Sequence, residues 1–191
     1  RLGGKDPYSA SKACAELITK VYMESFFKEN GLNIATTRAG NVIGGGDWAL
    51  DRVVPDCVRA WSKGEKVEIR NPNATRPWQH VLEPLGGYLA LGQKLFQGDP
   101  ELKNQSFNFG PQAKVNQSVG DLITEMAPYW PGAEWKFEQE IDSSKPESTL
   151  LKLNCDKALQ LLQWNSVLDF SETVQMTGKW YQDFYSQNPS S

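Results

Sequence analysis

The spacing of apolar residues divides the chain into alternating helical and strand-like segments. Ala10, Ala13, Cys14, Leu17, Ile18, Val21 and Tyr22 recur at intervals of three and four, which predicts an amphipathic helix with one buried face. Asp6 stands where an N-cap belongs, and Pro7 takes the first helical position, where its missing N–H costs nothing. This helix is predicted to reach Lys28, with Asn30-Gly31 as its stop. Residues 33–38 are short-run and β-branched, a strand. Then come a helix over 53–61, an alternating strand over 66–70, a turn at Asn71-Pro72-Asn73 and a short strand over 76–82. A helix over 83–96 is expected to be interrupted at Gly86-Gly87. A strand end at 107–111, a helix from the cap Ser118 to Met126 and a strand at 135–137 follow, and helices over 156–162 and 171–185 close the pattern. A helix, a glycine stop and a buried strand make half of a βαβ unit, so the fold class is α/β.

Composition narrows what such a fold is for. A formal charge of -3 gives no electrostatic reason to expect nucleic acid or an anionic membrane as partner, so an anionic ligand must be held by a few placed arginines. No apolar run approaches the roughly 20 residues that span a bilayer, and the first residues lack the apolar stretch of a signal peptide. Cys14, Cys57 and Cys155 are odd in number and far apart, fitting neither a disulfide framework nor a metal site. Reduced thiols and a cytoplasmic protein without a bound metal are the expectation.

Three segments carry candidate chemistry. Tyr8 and Lys12 lie four apart, on one face of the first helix, where an ammonium beside a phenol favours a tyrosine that acts as a base. By itself this spacing is also that of any solvated helix face. The strand after it runs into Arg38-Ala39-Gly40-Asn41-Val42-Ile43 and the triple glycine 44–46, at the carboxyl end of a strand, where open α/β sheets bind ligands. Asn41 offers a donor and an acceptor there; three glycines alone equally describe a surface turn. In the third segment Arg70, Arg76 and Trp78 flank a turn and are able together to clamp a nucleoside diphosphate, or else to be surface charges. His80, the one histidine, sits in an apolar strand and is expected to be packed and hydrogen-bonded.

In order and spacing these segments resemble the second half of the extended short-chain dehydrogenase/reductases, the NAD-dependent epimerases and dehydratases. Gly44-Gly45-Gly46-Asp47-Trp48, Arg70-Asn71-Pro72 and Arg76-Pro77-Trp78-Gln79-His80-Val81 resemble the CDP-glucose 4,6-dehydratase branch in particular, and Phe107-Asn108-Phe109-Gly110-Pro111 fits the same pattern. The resemblance implies a partial Rossmann-type parallel sheet lacking its first strands, with a smaller mixed α/β lobe that binds the nucleotide sugar. Residues 1–50 would belong to the NAD-binding domain and 51–191 mainly to that lobe, with about 78–97 packing back on the former. It further implies Tyr8 as the acid/base at the glucose 4-hydroxyl, Lys12 beside it on the nicotinamide ribose, and Gly40 lining the nicotinamide pocket. Asn41 and Arg76 would meet the diphosphate of CDP-glucose, with Arg52 and Arg70 as further candidates for the same anion. The implied reaction oxidises C4, loses water across C5 and C6, and returns the hydride to C6.

A G-x-G-x-x-G run is missing from the chain, so the NAD-pyrophosphate loop and the further acid/base groups are expected upstream of Tyr8 in a longer parent protein. The chain alone is expected neither to hold NAD tightly nor to turn over. In the resembled family the helix of Tyr8 helps to form a dimer, so a homodimer is expected. A 4-epimerase or a dTDP-glucose dehydratase would share Tyr8 and Lys12, and a non-catalytic nucleotide-sugar-binding fragment is the more distant alternative.

Overall fold

The computed structural model describes residues 6–27, 30–112, 116–137 and 153–188; the expected helix end at Lys28 lies outside them. The Asp6 carboxylate accepts from the Ser9 N–H at 2.9 Å and starts α1 (Pro7–Tyr22), which continues into a π-helical turn, Met23–Phe27. The expectation of a buried face on α1 is overturned. No residue of α1 is buried, and Leu17, Ile18, Val21 and Tyr22 are each half exposed or more. Periodicity identifies which face is apolar, and among the described residues nothing packs over this one. A polar tie holds the helix instead: Arg38, in β1 (Thr36–Ala39), forks onto the Glu16 carboxylate.

β1 pairs in parallel with β6 (Ser106–Phe109), so two strands 70 residues apart in sequence lie side by side. After Gly40-Asn41 the chain resumes as β2 (Val42–Ile43), parallel to β5 (Gln79–His80). The Gly40 N–H donates to the Phe109 carbonyl at 3.2 Å, and the Gln79 side-chain amide donates to the same oxygen at 3.0 Å. These bonds stitch the two strand pairs together. β3 (Val67–Ile69) is parallel to β8 (Trp135–Phe137), and β4 (Thr75–Arg76) is antiparallel to β7 (Gln117–Ser118). The single strand expected over 76–82 is therefore two short ones with different partners. Pro77, which has no N–H to give a ladder, stands between them.

The helices supply two cores. α2 (Val53–Ser62), α4 (Val119–Met126) and α6 (Phe170–Gln187) bury Val58, Trp61, Leu122, Ile123, Val174 and Tyr181 against Val67, Ile69 and Trp78. α3 (Leu82–Phe96) and α5 (Asp156–Leu162) bury Leu91, Ala158 and Leu162 against Phe107 and Phe109. Ser118 and Asp121 form a reciprocal capping box at the start of α4, as do Asp169 and Glu172 at α6. α3 runs unbroken through Gly86-Gly87, against the expected interruption. Gly87 is there for close packing: a Cβ would lie 2.3 Å from the Phe109 ring. No helix among the described residues is long and apolar enough to cross a membrane.

Candidate functional site

A cavity of about 660 Å³ opens where β1 runs into β2 and where α2 begins, within the range of roughly 300–1,000 Å³ usual for small-molecule sites. Its wall includes Tyr8, Gly40, Asn41, Arg52, Arg70 and Arg76, six candidates drawn from five separate stretches of the chain. Lys12 is exposed one turn further along α1 and is not among the lining residues.

Three arginines in this wall offer donors to an anion. Arg70 follows β3 and is exposed; Arg76 leaves β4 half-buried, its Nη1 donating to the Thr75 carbonyl at 2.8 Å. Arg52 stands at the N-cap of α2, and Val53 and Val54 of the first turn also face the cavity. First-turn N–H groups of a helix have no intrahelical acceptor, and the dipole there is positive. A helix start beside arginines is a ready seat for phosphate oxygens. Of the four carboxylates in the same wall, Asp56 pairs with Arg59, Glu68 with Lys136 and Asp47 with Arg52 itself at 3.3 Å; Asp51 is the fourth.

Asn41 and Tyr8 are the exposed polar groups at the strand-end side, Tyr8 with 73% of its surface accessible. Gly40 is accounted for by packing: an added Cβ would lie 3.1 Å from the Pro77 carbonyl and 3.2 Å from its ring. Trp78 reaches the cavity wall but does not offer the flat open ring that the sequence suggested. It is 5% exposed, packed in the first core, with its indole N–H on the Gln117 carbonyl at 3.1 Å. His80 is buried, its Nδ1 accepts from the Leu82 N–H at 3.3 Å, and burial holds its pKa below the ordinary value, so it is a neutral packing residue. Burial pushes the Cys57 thiol up to about 12, which leaves it inert. The three cysteines are unpaired, and no cluster of metal-ligating side chains occurs among the described residues.

Sequence reasoning missed what holds the cavity wall in shape. Asp47 and Tyr181 meet across 134 residues of chain, and Trp180 lies against Gly45 beside them, contacts that no local signal announces. The residues present fit one end of NAD. A phenol and an ammonium one turn apart on the open side of α1, beside the cavity, suit a nicotinamide and its ribose. Among the described residues no glycine-rich strand–turn–helix provides for the pyrophosphate.

The pattern of the NAD dependent epimerase/dehydratase family matches residues 2–110, more than half of the chain, and the chain belongs to that family. More particularly, it is 41% identical over 186 residues to the CDP-glucose 4,6-dehydratase of Salmonella typhimurium, covering 94% of this chain and 51% of that protein. The fold agrees. An epimerase from Methanothermobacter thermautotrophicus superposes with a TM-score of 0.74 at 21% identity, covering 100% of this chain and 54% of that one. The dTDP-glucose 4,6-dehydratase of Bacillus anthracis, solved with NAD, gives 0.74 at 18% identity, over 97% of this chain and 55% of that one. The structure is thus a partial Rossmann-type α/β fold, and the chain spans about half the length of the relatives that it matches.

Proposed function

We propose that this chain forms the nucleotide-sugar-binding half of an NAD-dependent CDP-glucose 4,6-dehydratase, a cytoplasmic lyase that makes CDP-4-keto-6-deoxy-glucose. The observation that carries the reading is the single cavity on which Tyr8, Asn41, Arg52, Arg70 and Arg76 converge. The 41% identity to the Salmonella dehydratase directs it to CDP-glucose. Arg76 and Arg52, with the start of α2, take the diphosphate through charge-assisted hydrogen bonds. Asn41 fixes the link between diphosphate and sugar. The sugar then lies toward Tyr8, which as the phenolate takes the proton from the 4-hydroxyl as hydride leaves C4. The oxygen stays a ketone in the product, and the proton that completes the reaction goes to C5 when hydride returns to C6. Lys12, one turn along the same helix, adds a positive charge beside that oxygen and a donor for the ribose of NAD. When bound, NAD supplies the hydride acceptor at C4 and the hydride donor at C6. A ketone at C4 makes the C5 proton acidic, which is why oxidation precedes loss of the 6-hydroxyl as water.

The exposed apolar stripe Leu17, Ile18, Val21 and Tyr22 supports a homodimer with α1 in its interface. The net charge of -3 favours neither nucleic acid nor membrane as a further partner.

Tyr8→Phe in the full-length protein tests the assignment. The variant is expected to bind CDP-glucose as the unaltered protein does and to lose turnover by at least about a thousandfold, within the range for removal of a general acid/base. Turnover retained in that variant removes Tyr8 from the chemistry.

A further inference from the structure

The loop between β2 and α2 carries Arg52 to the cavity wall, and it is gripped from outside the cavity by α6. Tyr181 makes two hydrogen bonds to one residue of this loop: its hydroxyl donates to the Asp47 carbonyl at 2.7 Å and accepts from the Asp47 N–H at 3.1 Å. The Asp47 carboxylate in turn accepts from the Ala49 N–H at 3.0 Å and pairs with Arg52 Nη1 at 3.3 Å. Trp180 closes the near end of the loop. A Cβ on Gly45 would lie 2.0 Å from its ring, so only glycine fits beneath it. The Trp48 ring is held at the other side by Tyr181 and Phe184, with centroids 5.4 and 5.0 Å away. The backbone between is bent at both ends, Gly46 at φ +78° and Asp51 at φ +60°, a shape that the loop must be held in.

The Tyr181 hydroxyl is not needed to dock α6. That helix is anchored in the first core by Phe170, Val174 and the Tyr181 ring itself, while the hydroxyl reaches only the loop. Burial pushes its pKa up to about 12, so it stays a donor across the working range.

We propose that Tyr181 and Trp180 are positioning residues for the nucleotide-sugar site, fixing the loop over 44–52 so that Arg52 is held ready for the diphosphate. This rests on the reading above that Arg52 meets that group. A rigid outer helix thereby sets the affinity of a site it does not touch: neither Tyr181 nor Trp180 lines the cavity.

The test is a double-mutant cycle on the full-length protein, read by calorimetric titration with whichever of CDP, UDP and dTDP the unaltered protein binds most tightly. Arg52→Gln is expected to weaken binding about tenfold, and Tyr181→Phe, which keeps the ring, roughly fivefold. In the Arg52→Gln background Tyr181→Phe is expected to add less than about twofold, because its effect runs through the residue already removed. Trp180→Leu keeps both Tyr181 hydrogen bonds and provides a second route should Tyr181→Phe fold poorly; it must show the same sign and the same dependence on Arg52. Binding at the unaltered level in Tyr181→Phe and Trp180→Leu, beside a weakened Arg52→Gln, overturns the positioning role and leaves Arg52 in the site. Equal losses in both backgrounds also overturn it, since a general loosening does not depend on Arg52. An Arg52→Gln variant that binds normally removes Arg52 from the site and the proposal with it. Failure of the unaltered protein to bind any of the three overturns the nucleotide-sugar reading itself.

Discussion

Gly87 of α3 lies against the ring of Phe109, the last residue of β6, so closely that a Cβ would stand 2.3 Å from a ring carbon. The ring is fully buried, and Tyr88 and Trp164 meet it edge-on. It has nowhere to yield. Gly87→Ala is therefore expected to destabilise the fold by about 1–3 kcal/mol despite adding a better helix former. Gly86 makes the comparison, because nothing lies within 4 Å of its added Cβ. Gly86→Ala is expected to stabilise slightly, and thermal midpoints of the two variants should move in opposite directions.

That pair also shows where sequence reasoning stops. Two adjacent glycines in a helical pattern predict a break, and only the strand packed across α3 explains why one of them is required. Caps were legible: Asp6 and Ser118 stand at helix starts because their side chains satisfy local N–H groups. The apolar face of α1 was legible as a face, not as buried, since burial depends on a partner. Asn41, Arg70 and Arg76 were legible from their places near strand ends and turns and Tyr8 from its helical spacing to Lys12, whereas Arg52 came only with the family resemblance. The Asp47–Tyr181 contact, across 134 positions, leaves no trace in spacing.

Glu16 and Arg38 join α1 to the sheet. The hydrogen bonds from Arg38 hold the Glu16 carboxyl below its ordinary 4.5, against a smaller opposing effect of burial. Folding therefore favours the ionised carboxylate, and this stabilisation is present above the unfolded value of 4.5 and vanishes as pH falls through the lowered folded value. With Arg38 partly open to solvent, the contribution is under about 1 kcal/mol. Glu16→Gln should lower the midpoint of thermal unfolding at pH 7, and the difference from the unaltered protein should shrink as pH falls through the lowered folded value.

Arg76 lies half-buried between β4 and the cavity. Arg76→Ala in the full-length protein is expected to weaken CDP binding by about tenfold to a hundredfold, the loss of a charge-assisted donor to phosphate. Titration with CDP reads it directly, and affinity within twofold of the unaltered protein would place Arg76 outside the site.

Ser118 and Asp121 cap α4, whose residues Leu122, Ile123 and Met126 fill the first core. Ser118→Ala is expected to cost about 1 kcal/mol. Chemical denaturation should show a lower midpoint with an unchanged slope, because the core itself is left intact.

The nucleotide-sugar dehydratase reading is tested most directly by product mass. Full-length protein is supplied with NAD and incubated separately with CDP-glucose, UDP-glucose and dTDP-glucose. CDP-glucose alone is expected to lose the mass of one water. Unchanged mass with all three sugars would contradict it and shift the assignment to an epimerase or a binding protein.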